Sequence, residues 1–156
     1  MRKKPPVHAS VPRGAAAHEA PGAVRGRAVA AAAGLVTVAA GLGIRALAGG
    51  DPAKYAGDAL YTVLIHTVVA AFAPRVRPGA AAGLALAVSW AVELSQLTGV
   101  PEELARRSTV ARLVLGSTFN APDLLWYTVG AAAAWAVHAG LARGSRRRAW
   151  PDSCEG

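Results

Sequence analysis

Four long apolar runs alternate with shorter polar segments along this chain of 156 residues. The runs cover about residues 28–48, 57–73, 80–97 and 122–142. A helix needs about 20 mostly apolar residues to cross the hydrocarbon core of a bilayer, within a range of about 17–25. The pattern therefore predicts an all-α integral membrane protein, an up-and-down bundle of four transmembrane helices joined by short connections.

The two ends of the chain lack this periodic apolar pattern. Residues 1–27 are rich in Pro, Ala, Gly and basic side chains, a composition that predicts a disordered N-terminal tail. Residues 143–156 are polar again. The predicted organisation is thus one transmembrane domain over 28–142 between two polar tails.

The first apolar run admits a second interpretation, in which it is a cleaved signal peptide. Residues 46–48, Ala-Leu-Ala, fit the small-residue pattern of a signal-peptidase site. However, the basic region before the run is longer than in a usual signal peptide, and Arg45 would lie directly beside the cleavage site. These departures favour a retained first helix.

The distribution of Lys and Arg predicts the orientation of the bundle. Of the 17 Lys and Arg residues, 12 lie in the two tails and in the short turn that contains Arg75 and Arg77. Positive residues accumulate in cytoplasmic segments, and short loops follow this rule best. We therefore predict a multi-pass protein of the cell membrane with both termini in the cytoplasm.

Composition and charge narrow the classes of function. The chain is 53% hydrophobic with a net charge of +8, and its basic residues flank the apolar runs. Nucleic-acid binding usually needs a basic face on a folded domain, so this pattern predicts contact with the lipid bilayer and not with nucleic acid. Because the sequence has no Gly-rich phosphate loop, zinc-ligand spacing or nucleophile motif, we predict no catalytic residue, metal or cofactor, and an enzyme is less favoured.

Polar residues within the bundle concentrate at one end, which is the outer end in the predicted orientation. Six of the nine acidic residues fall on that side. A charged residue at the centre of a membrane helix costs about 2.5–3.5 kcal/mol, and less near the interface. We predict a polar binding pocket there, formed by Asp58, Tyr61, Glu93, Gln96, Arg106, Asp123 and Tyr127.

Glu93 is the most unusual residue of this set because it lies inside an apolar run. Ser89, Glu93 and Gln96 follow one another at i, i+4 and i+7, which places them on one helix face. Arg45 and Arg106 are the basic residues expected near this end, and an ion pair with either would offset most of the cost of burying Glu93. A protonated Glu93 is the alternative, since desolvation disfavours the charged form.

The fourth run carries a comparable stripe. Asp123, Tyr127, Gly130 and Ala134 share one face, and the last two form a small-xxx-small pair that allows close approach of another helix. Asn120 precedes this run, with Asp123 three residues later, a spacing that resembles a capping box.

Three stretches resemble the small bacterial membrane proteins of domain-of-unknown-function family number 2809: KYAGDALYTVLIH, VELSQL and, most specifically, LVLGSTFNAPDLLWYTVG. This resemblance covers about residues 43–130. More distantly, the chain is similar to the VanZ-like family, linked to glycopeptide-antibiotic resistance, in the spacing of Glu93, Gln96, Arg106, Asp123 and Gly130. That family has an asparagine where this chain has Tyr127. The resemblance implies a bacterial membrane protein and supplies no reaction.

Three functions follow as hypotheses. The first is an envelope protein without catalytic activity, whose outward pocket binds a small polar or cationic ligand or a lipid headgroup. The second is a proton- or ion-coupled carrier with Glu93 as its titrating group, which requires a homo-oligomer because four helices are few for a lone transporter. The third is an intramembrane enzyme acting on a lipid-linked substrate. Glu93 and Gln96 also have a structural interpretation, as a polar clamp between helices.

Overall fold

The computed structural model describes residues 21–116 and 118–148, and all regular structure in these residues is helical. The structure contains four long helices. A 3₁₀ turn and two short helices lie between the third long helix and the last. In chain order the elements are α1 (Pro21–Leu47), α2 (Gly50–Phe72), α3 (Pro78–Ser95), the 3₁₀ turn (Gln96–Thr98), α4 (Val100–Arg107), α5 (Thr109–Leu115) and α6 (Ala121–Arg148).

Four of these helices are long and apolar enough to cross a membrane, as the sequence predicts. The candidate spans are Gly22–Leu47, Gly50–Phe72, Pro78–Thr98 and Ala121–Ser145, and their mean hydropathies range from 1.3 to 1.7. The all-helical fold with four helices long and apolar enough to span a membrane is therefore confirmed.

The predicted boundaries are corrected at three places. Helix α1 begins at Pro21, so residues 21–27 of the predicted tail are helical, while residues 1–20 lie outside the described part. Proline is favoured in the first helical turn, where its missing N–H is not needed. Helix α2 begins at Gly50 rather than residue 57, and α6 continues to Arg148 rather than ending at residue 142. Both extensions are polar turns, which an apolar-run criterion does not include.

Side-chain exposure in this bundle is inverted relative to a water-soluble protein. On α1, Leu35, Val36 and Leu42 are 73%, 69% and 64% exposed, whereas Thr62 and Ser89 between α2 and α3 are fully buried. Soluble proteins bury their large apolar side chains and rarely expose such continuous patches. Polar bridges inside and leucine and valine outside are the arrangement that a lipid environment favours.

Helix α2 is the central element, with α1, α3 and α6 packed around it. Small residues form its contact with α1. A Cβ atom at Gly34 would lie 3.1 Å from the Oγ1 atom of Thr67, and one at Gly41 would lie 3.9 Å from Leu60. Because higher numbers on α1 meet lower numbers on α2, the two helices run antiparallel.

The contacts of α6 give the remaining directions. Lys54 pairs with Asp123 near the start of α2, and His66 pairs with His138 further along, so α2 and α6 run parallel. Helix α3 runs antiparallel to α6, because Trp90 Nε1 donates to the Leu124 carbonyl while Gly79 lies near Trp135. The starts of α2 and α6 and the end of α3 therefore meet at one end of the bundle.

Candidate functional site

A close helix contact assembles the site. A Cβ atom built at Gly130 would lie 2.9 Å from the carbonyl carbon and 3.0 Å from the Cα atom of Ala59, inside the backbone contact distance. Only glycine permits α6 to approach α2 this closely. The approach brings the first turns of α6 against the first turns of α2, as the small-residue pattern of the sequence predicts.

The polar cluster consists of six residues at this end of the bundle: Lys54, Asp58, Glu93, Asn120, Asp123 and Tyr127. It has two parts. We name the first the Glu93 anchor (Glu93, Asn120 and Tyr127) and the second the Lys54 ion pair (Lys54, Asp58 and Asp123).

The Glu93 anchor joins the end of α3 to the start of α6. The Glu93 side chain is only 1% exposed. Its Oε1 accepts a hydrogen bond of 2.6 Å from the backbone N–H of Asn120, and its Oε2 accepts one of 2.9 Å from the hydroxyl of Tyr127. A carboxylate at a helix N-terminus also interacts favourably with the helix dipole. Both oxygens of this buried carboxylate are thus satisfied.

This geometry answers how Glu93 is accommodated. The expected partners, Arg45 and Arg106, do not fill that role. Arg45 is exposed and makes no hydrogen bond or ion pair within residues 21–116 and 118–148. Arg106 is exposed on α4 and binds the carboxylate of Glu103. The backbone N–H of Asn120 and the hydroxyl of Tyr127 take the place of the expected arginine. They do so because the N-terminus of α6 points towards the end of α3.

The start of α6 departs from a capping box. In that motif the acidic side chain three residues on accepts a hydrogen bond from the N-cap backbone N–H. Here Glu93 accepts the hydrogen bond from the Asn120 backbone N–H, and Asp123 instead accepts one from the Asn120 side-chain amide. The Asn120 side chain therefore joins the Glu93 anchor to the Lys54 ion pair.

The Lys54 ion pair joins the first turns of α2 and α6. The Lys54 Nζ atom donates to Asp123 Oδ1 and lies 3.4 Å from Asp58 Oδ2. The Lys54 side chain is 45% exposed, whereas those of Asp58 and Asp123 are 19% and 5% exposed. One accessible ammonium group is thus held by two carboxylates that are mostly covered.

Two aromatic ring pairs accompany the polar cluster. Tyr55 and Trp126 stack with ring centroids 5.4 Å apart and an interplanar angle of 14°. Tyr61 contacts Tyr127 at 6.2 Å in a tilted arrangement. Tyr61 therefore touches the cluster through its ring.

Gln96 lies beside the cluster and has a different partner. Its Nε2 donates a 2.6 Å hydrogen bond to the carbonyl of Leu115, at the end of α5. Its Oε1 is buried without a partner among the described residues. Gly116 follows with a φ of 68°, and a Cβ atom there would lie 2.6 Å from Gln96 Nε2. Gln96 thus fixes the α3–α6 connector and is not brought to Glu93.

Of the seven predicted site residues, the structure brings together Asp58, Glu93, Asp123 and Tyr127, with Tyr61 at the edge. Lys54 and Asn120 complete the cluster and were absent from the predicted set. The i, i+4 spacing of Lys54 and Asp58 was a usable signal for the first. Asn120 contributes a backbone group, which residue type does not reveal. Within the described residues, no three His, Cys, Asp or Glu side chains are arranged to hold a metal ion.

Comparison with known families identifies the cluster-bearing region. The family model "Protein of unknown function (DUF2809)" matches residues 52–131, just over half of the chain. The chain belongs to the DUF2809 family. The matched region includes every residue of the polar cluster, so this DUF2809 protein carries its cluster inside the family domain. No curated protein and no solved structure matches the chain.

Proposed function

We propose that this DUF2809 protein crosses the cell membrane four times with both termini in the cytoplasm, and that its outward polar cluster binds a ligand with a primary ammonium group, such as an ethanolamine lipid headgroup. The observation that carries the proposal is the Lys54 ion pair, in which Asp58 and Asp123 together hold one ammonium group. Lys54 stands where the ammonium group of the ligand binds.

The exposure of the three side chains supports this proposal. Lys54 is the most exposed of them, so its flexible side chain can leave the carboxylates without unpacking a helix. Asp58 and Asp123 are fixed on the first turns of α2 and α6 and remain when Lys54 leaves. Carboxylates that lose their ammonium partner gain from a replacement cation, because charge-assisted hydrogen bonds are among the strongest in proteins.

The charge of the cluster supports a cationic ligand. With its groups ionised, the cluster holds three carboxylates, from Asp58, Glu93 and Asp123, and one ammonium, from Lys54. An added positive charge reduces this imbalance, whereas an anionic headgroup increases it. Stacked Tyr55 and Trp126 beside Lys54 add an aromatic wall suited to a cation.

The geometry of Glu93 supports a structural role. Its two hydrogen bonds come from the backbone N–H of Asn120, the residue directly before α6, and from Tyr127, a buried side chain of α6. Among the alternatives, this supports the polar clamp over a carrier that titrates Glu93, because protonating one oxygen would weaken the hydrogen bond that this oxygen accepts in each cycle.

Lipid binding tests the ligand. We expect native mass spectrometry of the purified protein to retain phosphatidylethanolamine in preference to phosphatidylglycerol, and soluble ethanolamine to compete. Asp58→Asn should weaken this binding at least about tenfold, since one charged hydrogen bond is worth about 1.5–3 kcal/mol. The matched control is Asp51→Asn, an exposed carboxylate on the same helix, in the first turn of α2. Equal binding of both lipids, or equal effects of both variants, would refute the proposal.

Cysteine labelling tests the orientation. After replacing Cys154 with serine, single cysteines are placed at Arg75, in the turn after α2, and at Ser108, between α4 and α5. We expect a membrane-impermeant reagent to modify Ser108→Cys in intact cells and Arg75→Cys only after permeabilisation. The reverse pattern would place the polar cluster on the cytoplasmic side.

A further inference from the structure

A histidine pair bridges α2 and α6 further along the bundle, away from the polar cluster. The Nε2 atom of His66 and the Nδ1 atom of His138 are 3.1 Å apart, a hydrogen-bond distance. The rings meet edge to face, with centroids 5.2 Å apart. His66 is 4% exposed, and its Nδ1 atom is buried without a hydrogen-bond partner among the described residues.

The unpartnered nitrogen decides which tautomer the neutral pair adopts. If His138 donated to His66, the proton of the His66 ring would lie on Nδ1, as a buried donor without an acceptor. Orphaned buried donors are rarer in proteins than under-satisfied acceptors. His66 therefore carries its proton on Nε2 and donates to His138. The Nδ1 atom of His66 then carries a lone pair that accepts no hydrogen bond from the described residues.

The helices around the pair contribute few other charges. Helix α1 has no charged or titratable residue between Arg27 and Arg45, and α3 has none before Glu93. On α6, Tyr127 and Arg143 are the nearest such residues.

On α2 itself, Tyr61 and Asp58 precede His66, and Asp58 is two turns away, or about 12 Å at about 1.5 Å per residue. After α2, the nearest charges are Arg75 and Arg77 in the turn to α3.

We propose that the His66–His138 pair is a proton-binding site within the membrane bundle, which takes up one proton shared between the two rings. The new N–H bond forms at His66 Nδ1, and no other bond breaks. This creates a buried donor without an acceptor among the described residues, a cost that the strengthened bond between the rings has to offset. The existing hydrogen bond between the rings then links an imidazolium donor to a neutral imidazole acceptor, and such charge-assisted bonds are stronger than neutral ones. A second proton would place two positive charges on nitrogens only 3.1 Å apart.

This proposal does not depend on the ligand proposed for the polar cluster. The pair and the Lys54 ion pair both connect α2 with α6, but they lie at different levels of that interface. The proton site makes the α2–α6 contact sensitive to pH, whatever binds at the cluster.

Nitrogen NMR of the histidine side chains tests the proposal. The protein carries His8→Gln and His18→Gln, so that only the pair is observed, and is studied in nanodiscs from pH 5 to 8. We expect both rings to change in one step with uptake of one proton. In His66→Gln and in His138→Gln, this shared step should be absent.

Three results would overturn it. The first is uptake of two protons in separate steps, and the second is no change in either ring between pH 5 and 8. The third is a shift that disappears when a chelator is added, which would indicate a bound metal ion. Because the main measurement uses an intact pair, misfolding of the single variants leaves the test valid.

Discussion

The Glu93 anchor and the Lys54 ion pair are neighbours that hold carboxylates in opposite ways. Glu93 is buried and binds one backbone N–H and one phenol, whereas Asp58 and Asp123 bind the ammonium group of Lys54, whose side chain is 45% exposed. The first arrangement is fixed by the start of α6. The second depends on one flexible side chain. The difference teaches that carboxylates at one end of a bundle can divide into a part bound by backbone and buried groups and a part bound by one flexible, half-exposed side chain.

Gly130→Ala should disrupt the α2–α6 contact on which both parts of the cluster depend, and it should have the largest effect on stability. The new methyl group would overlap the backbone of Ala59, which cannot rotate away. We expect a loss of about 3 kcal/mol or more in the free energy of unfolding, at the upper end of overpacking effects. The separation of α6 from α2 should also weaken the Lys54 ion pair. Reversible unfolding in mixed micelles measures this loss.

Gly140→Ala is the matched control for that variant. It lies on the same helix, and a Cβ atom there meets nothing within 4 Å. We expect it to be neutral or slightly stabilising, because alanine is the better helix former. Equal destabilisation by both variants would contradict the close contact of α6 with α2.

Glu93→Leu should remove the hydrogen bonds of the Glu93 anchor and leave the Lys54 ion pair in place. It leaves the Asn120 N–H and the Tyr127 hydroxyl without their acceptor, and an unsatisfied buried group costs about 1–3 kcal/mol. We expect a loss of about 2–3 kcal/mol in unfolding free energy, measured as above. Glu102→Gln, at an exposed carboxylate on α4, is the control and should have little effect. A stable Glu93→Leu protein would show that the anchor is not structural.

Tyr127→Phe should weaken the Glu93 anchor by a single hydrogen bond. Buried side-chain hydrogen bonds in membrane proteins average about 0.6 kcal/mol, so we expect a loss of about 0.5–1.5 kcal/mol. Tyr61→Phe is the control, since the Tyr61 hydroxyl has no hydrogen-bond partner among the described residues. Unfolding curves of the two variants should differ, and coincident curves would argue against the bond to Glu93.

Arg106→Gln should leave both parts of the cluster unchanged, the smallest effect expected. The hydrogen bonds from Arg107 and Arg106 lower the pKa of the Glu103 carboxyl below its ordinary value of 4.5. The ion pairs of Glu103 are therefore present at neutral pH and are lost as the pH falls through this lowered pKa. The variant should move the pKa of Glu103 back towards 4.5, as measured by NMR. Reduced phosphatidylethanolamine binding would place Arg106 at the cluster after all.

Sequence patterns predict the spans and the end of the bundle at which polar residues gather. Run length is enough for the spans, because the bilayer fixes how many apolar residues a helix needs. The convergence of Asp58, Glu93 and Asp123 follows from alternating helix directions. The match to DUF2809 confirms the resemblance seen in the sequence motifs.

The partners within the site were harder to predict. Helical spacing gives the face of one helix but not the rotation of its neighbour, so the sequence predicts Arg106 at the position where the Asn120 backbone lies. His66 and His138 are 72 positions apart, and nothing in their local sequence connects them. The apolar-run criterion predicts a start of α1 at residue 28 instead of Pro21, because the first turns of this helix are polar. Pairing across helices depends on contacts such as that of Gly130 with Ala59, which only the assembled structure shows.

Lys54→Met tests the central claim most directly, because it removes the built-in ammonium and leaves both carboxylates in place. Phosphatidylethanolamine affinity is measured by native mass spectrometry for the natural protein and for this variant. If Lys54 occupies the ligand position, the variant binds the lipid more tightly. If the affinity is unchanged or lower, Asp58 and Asp123 hold Lys54 as a structural ion pair, and the ligand site is not there.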